Sequence, residues 1–309
     1  MKTHVSAFAF LLATLLLILA SHAHAQLYVG QTNSMQLVSE YDSVTGAVIN
    51  ANLITGASGV TSIALSGNNL YITHASGSTI GEYDATTGAA INANFITGLS
   101  NPRGLLLSGS HLFVTSGTST VGEYDASTGA AVNASFITAG LNAPESLVLS
   151  GNNLFVASFS AGTVCEYDAS SGAAINLNFI TGLRNPTGLA LSGNHLFVND
   201  DSNTSNNAVG EYDATTGAAI SAAFVQGLHG PWGLAVSGND LFVTNSAGSS
   251  NSVGEYNATT GATINANFVT GLAFPEGLAV GPLPEPDSAV LLALGASALF
   301  GWRRRRVSG

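Results

Sequence analysis

The chain has 309 residues, of which 18 are acidic and seven are basic, and its formal net charge is −11. Five of the basic and two of the acidic residues lie in the two ends, so residues 26–282 keep 16 acidic and two basic residues and a net charge of −14. A domain this acidic repels phosphate backbones, and no nucleic-acid partner is expected. The single cysteine, Cys165, excludes an intrachain disulfide.

Residues 1–25 have the layout of a secretory signal peptide. Lys2 precedes an apolar run from residue 5 to residue 20, and the segment ends in Ala23-His24-Ala25. The small residues Ala23 and Ala25, at the third and first positions before the cleavage site, predict that the export machinery cleaves the chain between Ala25 and Gln26. The alternative is a retained membrane anchor, for which the apolar run is short. We therefore expect the mature protein to be exported.

The middle of the chain repeats one unit six times. A Glu-Tyr-Asp triplet or its Glu-Tyr-Asn variant recurs with spacings of 42, 41, 43, 45 and 44 residues, beginning at Glu40, Glu82, Glu123, Glu166, Glu211 and Glu255. A period in this range is typical of propellers and solenoids. Cys165 stands where four sister repeats have glycine, which indicates a packed strand residue rather than a nucleophile.

Each repeat divides into four short strands, A to D. In the third repeat these are predicted at residues 104–108, 111–115, 120–125 and 131–138. Gly-Asn pairs such as Gly67-Asn68 separate strands A and B and indicate two-residue hairpin turns. The Asp84-to-Gly88 segment and its copies separate strands C and D and indicate turns capped by the aspartate. Four antiparallel strands per unit predict a propeller blade.

The two ends of the repeat series predict a closed ring. The first repeat begins with a strand B at residues 27–29 and lacks a strand A, whereas the last repeat stops after a strand A at residues 277–280. Pairing of residues 277–281 with residues 27–30 would complete the first blade and remove a free sheet edge. We therefore predict an all-β fold, a six-bladed β-propeller of four-stranded blades over residues 26–282.

The repeat resembles the NHL-type propeller repeat. The matching segments are Asn101-Pro102-Arg103-Gly104-Leu105, Leu112-Phe113-Val114 and Val121-Gly122-Glu123-Tyr124-Asp125, and the pattern returns at residues 185–189 and 196–198. The resemblance covers residues 27–281 and implies an architecture that hosts scaffolds, binding modules, lactonases and lyases. Most repeats here lack the usual aspartate after strand B, which only Asp200 keeps.

The tail, residues 283–309, resembles a PEP-CTERM sorting signal. It begins with the motif Pro284-Glu285-Pro286 and continues with an apolar stretch at residues 288–302. A basic cluster follows, which consists of Arg303, Arg304, Arg305 and Arg306. The resemblance implies an exosortase-type processing enzyme, transient association with the inner membrane, and a final place on the cell surface or in an extracellular polysaccharide matrix. The alternative is a plain C-terminal anchor.

Candidate ligand-binding residues come from two positions that differ between repeats. In a propeller, the D-to-A and B-to-C connections surround one mouth of the central channel. The residue before strand A is Thr61, Arg103, Glu145, Thr187, Trp232 or Glu276, which we call the strand-start residues. The residue near the end of strand B is Gln31, His74, Ser116, Ser158, Asp200 or Asn245, which we call the strand-end residues. The alternative is drift in exposed loops.

From these two series we take eight residues as the candidate ligand rim: His74, Arg103, Glu145, Thr187, Asp200, Trp232, Asn245 and Glu276. The expected function is that of a non-catalytic binding or structural protein of the cell surface or extracellular polysaccharide matrix, with an extracellular polysaccharide or a surface protein as partner, and no catalytic residue is predicted. The alternative is a metal-dependent lactonase, hydrolase or lyase. Glu145, Glu276, Asp200 and Asn245 would then supply oxygen ligands for calcium or another divalent ion.

Overall fold

The computed structural model describes residues 25–32, 37–117, 119–201, 207–247 and 251–281. Their regular structure consists of 24 β-strands and one 3₁₀ turn at Phe159–Ala161. The predicted cleavage residue Ala23 and the whole sorting motif lie outside these ranges, whereas Ala25 is described and Gln26 begins the first strand. No helix within the described ranges is long and apolar enough to cross a membrane.

The strands form six antiparallel sheets of four strands, which confirms the predicted six-bladed β-propeller. Blade 1 contains β1 (Gln26–Gln31), β2 (Leu37–Asp42), β3 (Val48–Thr55) and the last strand, β24 (Pro275–Val280). Blade 2 contains β4 (Ile63–Ser66), β5 (Asn69–His74), β6 (Thr79–Asp84) and β7 (Ala90–Ile96). Blade 3 contains β8 (Leu105–Ser108), β9 (His111–Ser116), β10 (Thr120–Asp125) and β11 (Ala131–Ile137).

The other three blades repeat this arrangement. Blade 4 contains β12 (Pro144–Ser150), β13 (Asn153–Ser158), β14 (Thr163–Asp168) and β15 (Ala174–Ile180). Blade 5 contains β16 (Pro186–Ser192), β17 (His195–Asp200), β18 (Ala208–Asp213) and β19 (Ala219–Gln226). Blade 6 contains β20 (Pro231–Ser237), β21 (Asp240–Asn245), β22 (Ser252–Asn257) and β23 (Thr263–Val269).

The ring closes through the predicted pairing of the chain's last described strand with its first. β24 is antiparallel to β1, with Leu27 opposite Val280 and Val29 opposite Leu278. Blade 1 is therefore assembled from both ends of the repeat series, in the order β24-β1-β2-β3. β24 thus covers the edge of β1 that faces the channel and gives blade 1 the same four strands as the other blades.

The core lies between neighbouring blades, where the repeated aromatic side chains pack. Tyr71 and Phe95 of blade 2 share one cluster with Leu105, Leu112 and Tyr124 of blade 3, and the other clusters repeat this pattern. Centroids of the Phe155 and Phe179 rings are 4.8 Å apart. Cys165 is fully buried and donates its thiol hydrogen to the Leu177 carbonyl (3.1 Å), as expected for a packed strand residue.

One end of the ring, the turn face, carries the A-to-B and C-to-D turns, such as residues 109–110 and 126–130. Every described C-to-D turn is capped in the same way, by a side-chain oxygen of its first residue. In blade 5, Asp213 accepts hydrogen bonds from the Thr215 and Thr216 amides and from the Thr216 hydroxyl, and Gly217 follows in a left-handed conformation. Asn257 replaces the aspartate in blade 6 and accepts the equivalent bonds. The opposite end, the cavity face, carries the D-to-A and B-to-C connections.

Candidate ligand-binding site

A cavity opens at the centre of the cavity face, and each blade contributes its strand-start residue to the lining. In order around the ring these residues are Glu276, Thr61, Arg103, Glu145, Thr187 and Trp232. The space open to the centres of water-sized molecules is about 50 Å³, which accommodates a few waters or one small substituent of a larger ligand. In this ring the two glutamates are opposite each other, and Arg103 is opposite Trp232.

Glycines at the start of strand A keep the cavity narrow. A Cβ atom on Gly104 would overlap the Glu145 carbonyl oxygen, and one on Gly188 would overlap the Trp232 carbonyl oxygen. The absence of a side chain therefore lets the backbone of one blade approach the next closely. This close approach places the side chains of neighbouring strand-start residues around one small volume.

Buried polar residues on strand B orient the strand-start backbone. The Thr115 hydroxyl accepts a hydrogen bond from the Gly104 amide (2.6 Å) and donates to the Glu145 carbonyl (3.1 Å), so it links blades 3 and 4. In blade 5, the Asn199 side-chain amide donates to the Trp232 carbonyl (2.6 Å). These residues were not among the sequence-based candidates. The signal that could have identified them is the polar residue that follows Leu-aromatic-Val in strand B.

Two strand-start residues are engaged in the architecture of the ring. The Thr61 hydroxyl donates to the Arg103 carbonyl (2.9 Å), and the Thr187 hydroxyl donates to the Pro231 carbonyl (3.0 Å). Each bond joins one blade to the next, and both threonines are buried. The side chains with chemistry available to a ligand are therefore those of the other four residues, Arg103, Glu145, Trp232 and Glu276.

Burial raises the pKa of Glu145 to about 7. The Arg103 guanidinium opposes this effect because it favours the ionised carboxylate, whereas the negative charge of Glu276 adds to it. Its protonated form can donate a hydrogen bond and its ionised form can only accept one, so both roles are accessible near neutral pH.

Glu276 and Arg103 each leave hydrogen-bonding capacity unused. Glu276 Oε1 accepts a hydrogen bond from the Thr32 hydroxyl (3.1 Å), but its Oε2 atom is buried without a hydrogen-bond partner among the described residues. Arg103 Nε is also buried without a hydrogen-bond partner among the described residues. Burial raises the pKa of Glu276, and Arg103 and the Thr32 hydrogen bond partly offset this. Unsatisfied buried donors and acceptors favour a polar ligand because it would restore their hydrogen bonds.

The strand-end residues serve another purpose, and His74, Asp200 and Asn245 do not line the cavity. Asp200 accepts a hydrogen bond from the Arg184 amide (2.9 Å), and Asn245 accepts one from the His229 amide (3.0 Å). The same bond is made by Gln31, Ser116 and Ser158. These different side chains are equivalent here because each supplies an oxygen acceptor that holds the preceding D-to-A loop.

His74 is the exception among the strand-end residues. It is buried, and its Nε2 atom lies 3.1 Å from the Tyr83 hydroxyl. Burial lowers the pKa of His74, which favours the neutral ring. His74 therefore contributes to the packing of blade 2 rather than to the lining of the cavity.

The cavity residues do not fit a divalent metal ion. Within the described ranges, no three His, Cys, Asp or Glu residues are grouped closely enough to hold one. Glu145 and Glu276 are two carboxylates on opposite sides of the ring, and a guanidinium lies among the same lining residues. Calcium typically takes six to eight oxygen ligands that include several carboxylates. The oxygen set expected from the sequence is not assembled, because Asp200 and Asn245 bind loop amides instead.

Comparison with solved structures supports the fold. The chain is similar to a chain in the crystal structure of a nidogen/laminin complex, with a TM-score of 0.68 and 15% sequence identity over 83% of this chain and 98% of that chain. It also matches the computationally designed Ika8 protein, with a TM-score of 0.46 and 16% identity over 79% of this chain and 74% of that chain. No family model and no curated protein matches the chain. The similarity to the nidogen/laminin structure, at this low identity, establishes the β-propeller fold.

Proposed function

We propose that this protein is an exported, non-catalytic binding propeller that takes an extracellular carbohydrate at its central cavity. The observation that carries the proposal is the lining of that cavity. Its six strand-start residues occupy equivalent positions, yet four of them offer a guanidinium, two carboxyl groups and an indole. A symmetric scaffold needs no such differences, whereas an asymmetric ligand does.

The chemistry of these side chains favours a neutral or amine-bearing carbohydrate. Carboxyl and guanidinium groups hydrogen-bond to hydroxyls, and an indole offers an apolar face to the C–H groups of a sugar ring. The cavity holds two carboxyl groups against one guanidinium, and the domain around it has a net charge of −14. Acidic polysaccharides are therefore disfavoured electrostatically.

The proposed place of action follows from the two ends of the sequence. The N-terminal segment has the features of a signal peptide, and the tail resembles a PEP-CTERM sorting signal. We propose processing by an exosortase-type enzyme after transient association with the inner membrane, followed by release to the cell surface or the extracellular matrix. Fractionation tests this: tail-bearing protein retained in the inner membrane would contradict it.

The binding function is tested by calorimetric titration of the propeller with neutral, amino-sugar and acidic hexasaccharides. We expect a neutral or amino-sugar oligosaccharide to bind and acidic ones not to bind. Trp232→Ala should weaken that binding at least tenfold, since truncation of an aromatic residue at a binding hot spot commonly costs about 2 kcal/mol or more. Asp213→Asn, on the turn face, is the matched control and should bind like the wild type. Failure of every saccharide to bind the wild type would contradict the proposal.

A second candidate function is hydrolysis or elimination on a lactone or sugar acid. One observation favours it: a carboxyl group with a pKa of about 7, such as Glu145, suits general acid or base catalysis. Incubation with a panel of lactones and uronic acid oligosaccharides tests it. Turnover by the wild type that is lost in Glu145→Gln would replace the binding proposal with this one.

A further inference from the structure

Phe274 is an exposed aromatic side chain on the cavity face. Its side chain is 52% exposed, and it belongs to the D-to-A connection two residues before Glu276 of the cavity. The other large exposed apolar residues in the described ranges lie on outer strands or in a C-to-D turn; they are Val44, Val48, Ile49, Ile91, Val132, Ile175, Leu177, Ile220 and Ile264. Phe274 is therefore placed apart from them, on the cavity face and two residues from a residue that lines the cavity.

The backbone of Phe274 adopts a conformation that bulky residues avoid. Its φ angle is 51°, in the left-handed region. Four other blades also have positive φ at this position, but with Gly59, Asn101, Ala143 and Gly230, which are small or tolerate this region. A phenylalanine is costly in this conformation, so its presence calls for a compensating role.

Contacts with Thr32 fix the position of the Phe274 backbone. The Phe274 carbonyl accepts a hydrogen bond from the Thr32 amide (3.1 Å), and the Thr32 hydroxyl oxygen lies 3.2 Å from the same carbonyl oxygen. The same hydroxyl lies 3.1 Å from Glu276 Oε1, so one residue ties the exposed aromatic to the cavity. The ring itself makes no aromatic pair with another described residue and joins none of the hydrophobic clusters there. Packing within the fold therefore does not explain the side chain.

Phe274 also lies on the same side of the cavity as Trp232. Glu276, two residues after Phe274, belongs to blade 1, and Trp232 belongs to the adjacent blade 6. A Cβ atom on Gly233 would overlap the Glu276 carbonyl oxygen, which shows how closely the two strand starts approach. The sector formed by blades 6 and 1 thus has one aromatic residue lining the cavity and one in the connection that leads to it.

From these observations we infer that the binding site extends from the cavity onto Phe274, and that the ligand is a pyranose chain rather than a single small molecule. One sugar ring stacks on Phe274, and a polar substituent of the neighbouring unit enters the cavity. The inference rests on the proposed function. The cavity is small, with room for a few waters or one substituent, so most of a saccharide chain would lie outside it. An apolar peptide side chain is the poorer fit because the cavity carries three ionisable, hydrogen-bonding groups.

The test uses the oligosaccharide that binds the wild type best in the hexasaccharide panel. Phe274→Gly should weaken its binding about 5- to 50-fold, since it removes the aromatic platform. The same variant should raise Tm by about 1–3 °C, because glycine relieves the left-handed strain. Ala143→Gly is the matched control: its φ is 52°, so it should also raise Tm, but its affinity should equal that of the wild type. Phe274→Tyr should keep wild-type affinity.

Chain length provides the second readout. Shortening the saccharide from six units to one should cost the wild type much affinity and cost Phe274→Gly much less. Wild-type affinity in Phe274→Gly, with Trp232→Ala still defective, would overturn this inference and leave the proposed function intact. If no saccharide binds the wild type, both fail. Specific binding of a peptide that requires Phe274, with no saccharide binding, would also overturn the inference and would assign this face to a protein partner.

Discussion

The two faces of the ring use the same repeat in opposite ways. On the turn face, Asp213 and its counterparts make the same amide and hydroxyl bonds in blade after blade, and even the substitution by Asn257 preserves them. On the cavity face, equivalent strand-start positions carry a guanidinium, two carboxyl groups and an indole. Residues that must build the same turn converge on one chemistry, whereas residues that line the cavity are free to differ.

The cavity face also shows that sequence variation alone does not identify a binding residue. The strand-end position varies as much as the strand-start position, yet Asp200, Asn245 and Ser116 all accept a loop amide hydrogen bond. Their variation is neutral with respect to structure because any oxygen acceptor suffices. The strand-start side chains are not interchangeable in this way, and this chemical difference separates the two series.

The largest expected effect comes from removing β24, the strand that closes the ring. A chain that ends at residue 274 lacks β24, leaves the inner edge of β1 unpaired and opens the ring. We expect it to aggregate or to unfold without a cooperative transition in calorimetry. A chain that ends at residue 281 keeps β24 and is the control. Wild-type Tm in the shorter chain would contradict the closure of the ring by β24.

The next effect distinguishes the faces through two glycines with positive φ. Gly217 on the turn face has φ of 71°, and an added Cβ would overlap the Phe179 carbonyl oxygen of the neighbouring blade. Gly182 on the cavity face has φ of 80° with no atom within 4 Å of an added Cβ. Substitution by alanine should cost about 1–2 kcal/mol at Gly182, from the left-handed backbone alone, and clearly more at Gly217. Chemical denaturation measures both, and equal losses would contradict the difference in packing.

The third prediction concerns the pH dependence of stability, which should have opposite signs on the two faces. Because the folded-state pKa of Glu145 is about 7, above its ordinary value of 4.5, the folded protein binds the extra proton between these values. Stability should therefore fall as pH rises from about 4.5 to 7, by at most about 3 kcal/mol, and then level off. Glu145→Gln should reduce this loss, of which Glu276 supplies a further part, and be more stable than the wild type at pH 8.

Asp213 should behave in the opposite way. Hydrogen bonds from the Thr216 hydroxyl and amide lower its pKa, so its contribution is present near neutral pH and is lost as pH falls through its folded pKa. Asp213→Asn should leave the loss between pH 4.5 and 7 unchanged. Denaturant titrations from pH 3 to pH 8 test both variants. A wild-type slope in Glu145→Gln would show that Glu145 is not the group responsible.

The smallest expected effect is on a single C-to-D turn. Asp213→Asn should leave Tm nearly unchanged at neutral pH, since Asn257 already fills this role in blade 6. Asp213→Ala removes the acceptor of four hydrogen bonds, one of them from the Asn194 side-chain amide, and should lower Tm, though by less than Gly217→Ala. Equal Tm values for the asparagine and alanine variants would show that the carbonyl acceptor does not stabilise the turn.

Much of the fold was predictable because the repeat itself encodes it. The period of the Glu-Tyr-Asp triplets, the turn residues and the incomplete first repeat specify six blades and the closing strand, and the predicted strands of blade 3 agree with β8 to β11 within two residues. Local chemistry is sufficient to predict these features, since the glycine and aspartate turns form from neighbouring residues. The number of blades follows from the number of repeats.

The candidate site depended on the tertiary structure. The sequence identified two variable series, but only the arrangement of the blades shows that one lines the cavity while the other binds loop amides. The burial that raises the pKa of Glu145 comes from the approach of other blades, and the unpartnered Glu276 Oε2 and the left-handed backbone of Phe274 are likewise products of packing. The sequence by itself determined the repeat, its turns and the number of blades, because these arise from short-range interactions. Which side chains share the cavity, and with what charge, was decided by contacts between residues distant in the chain.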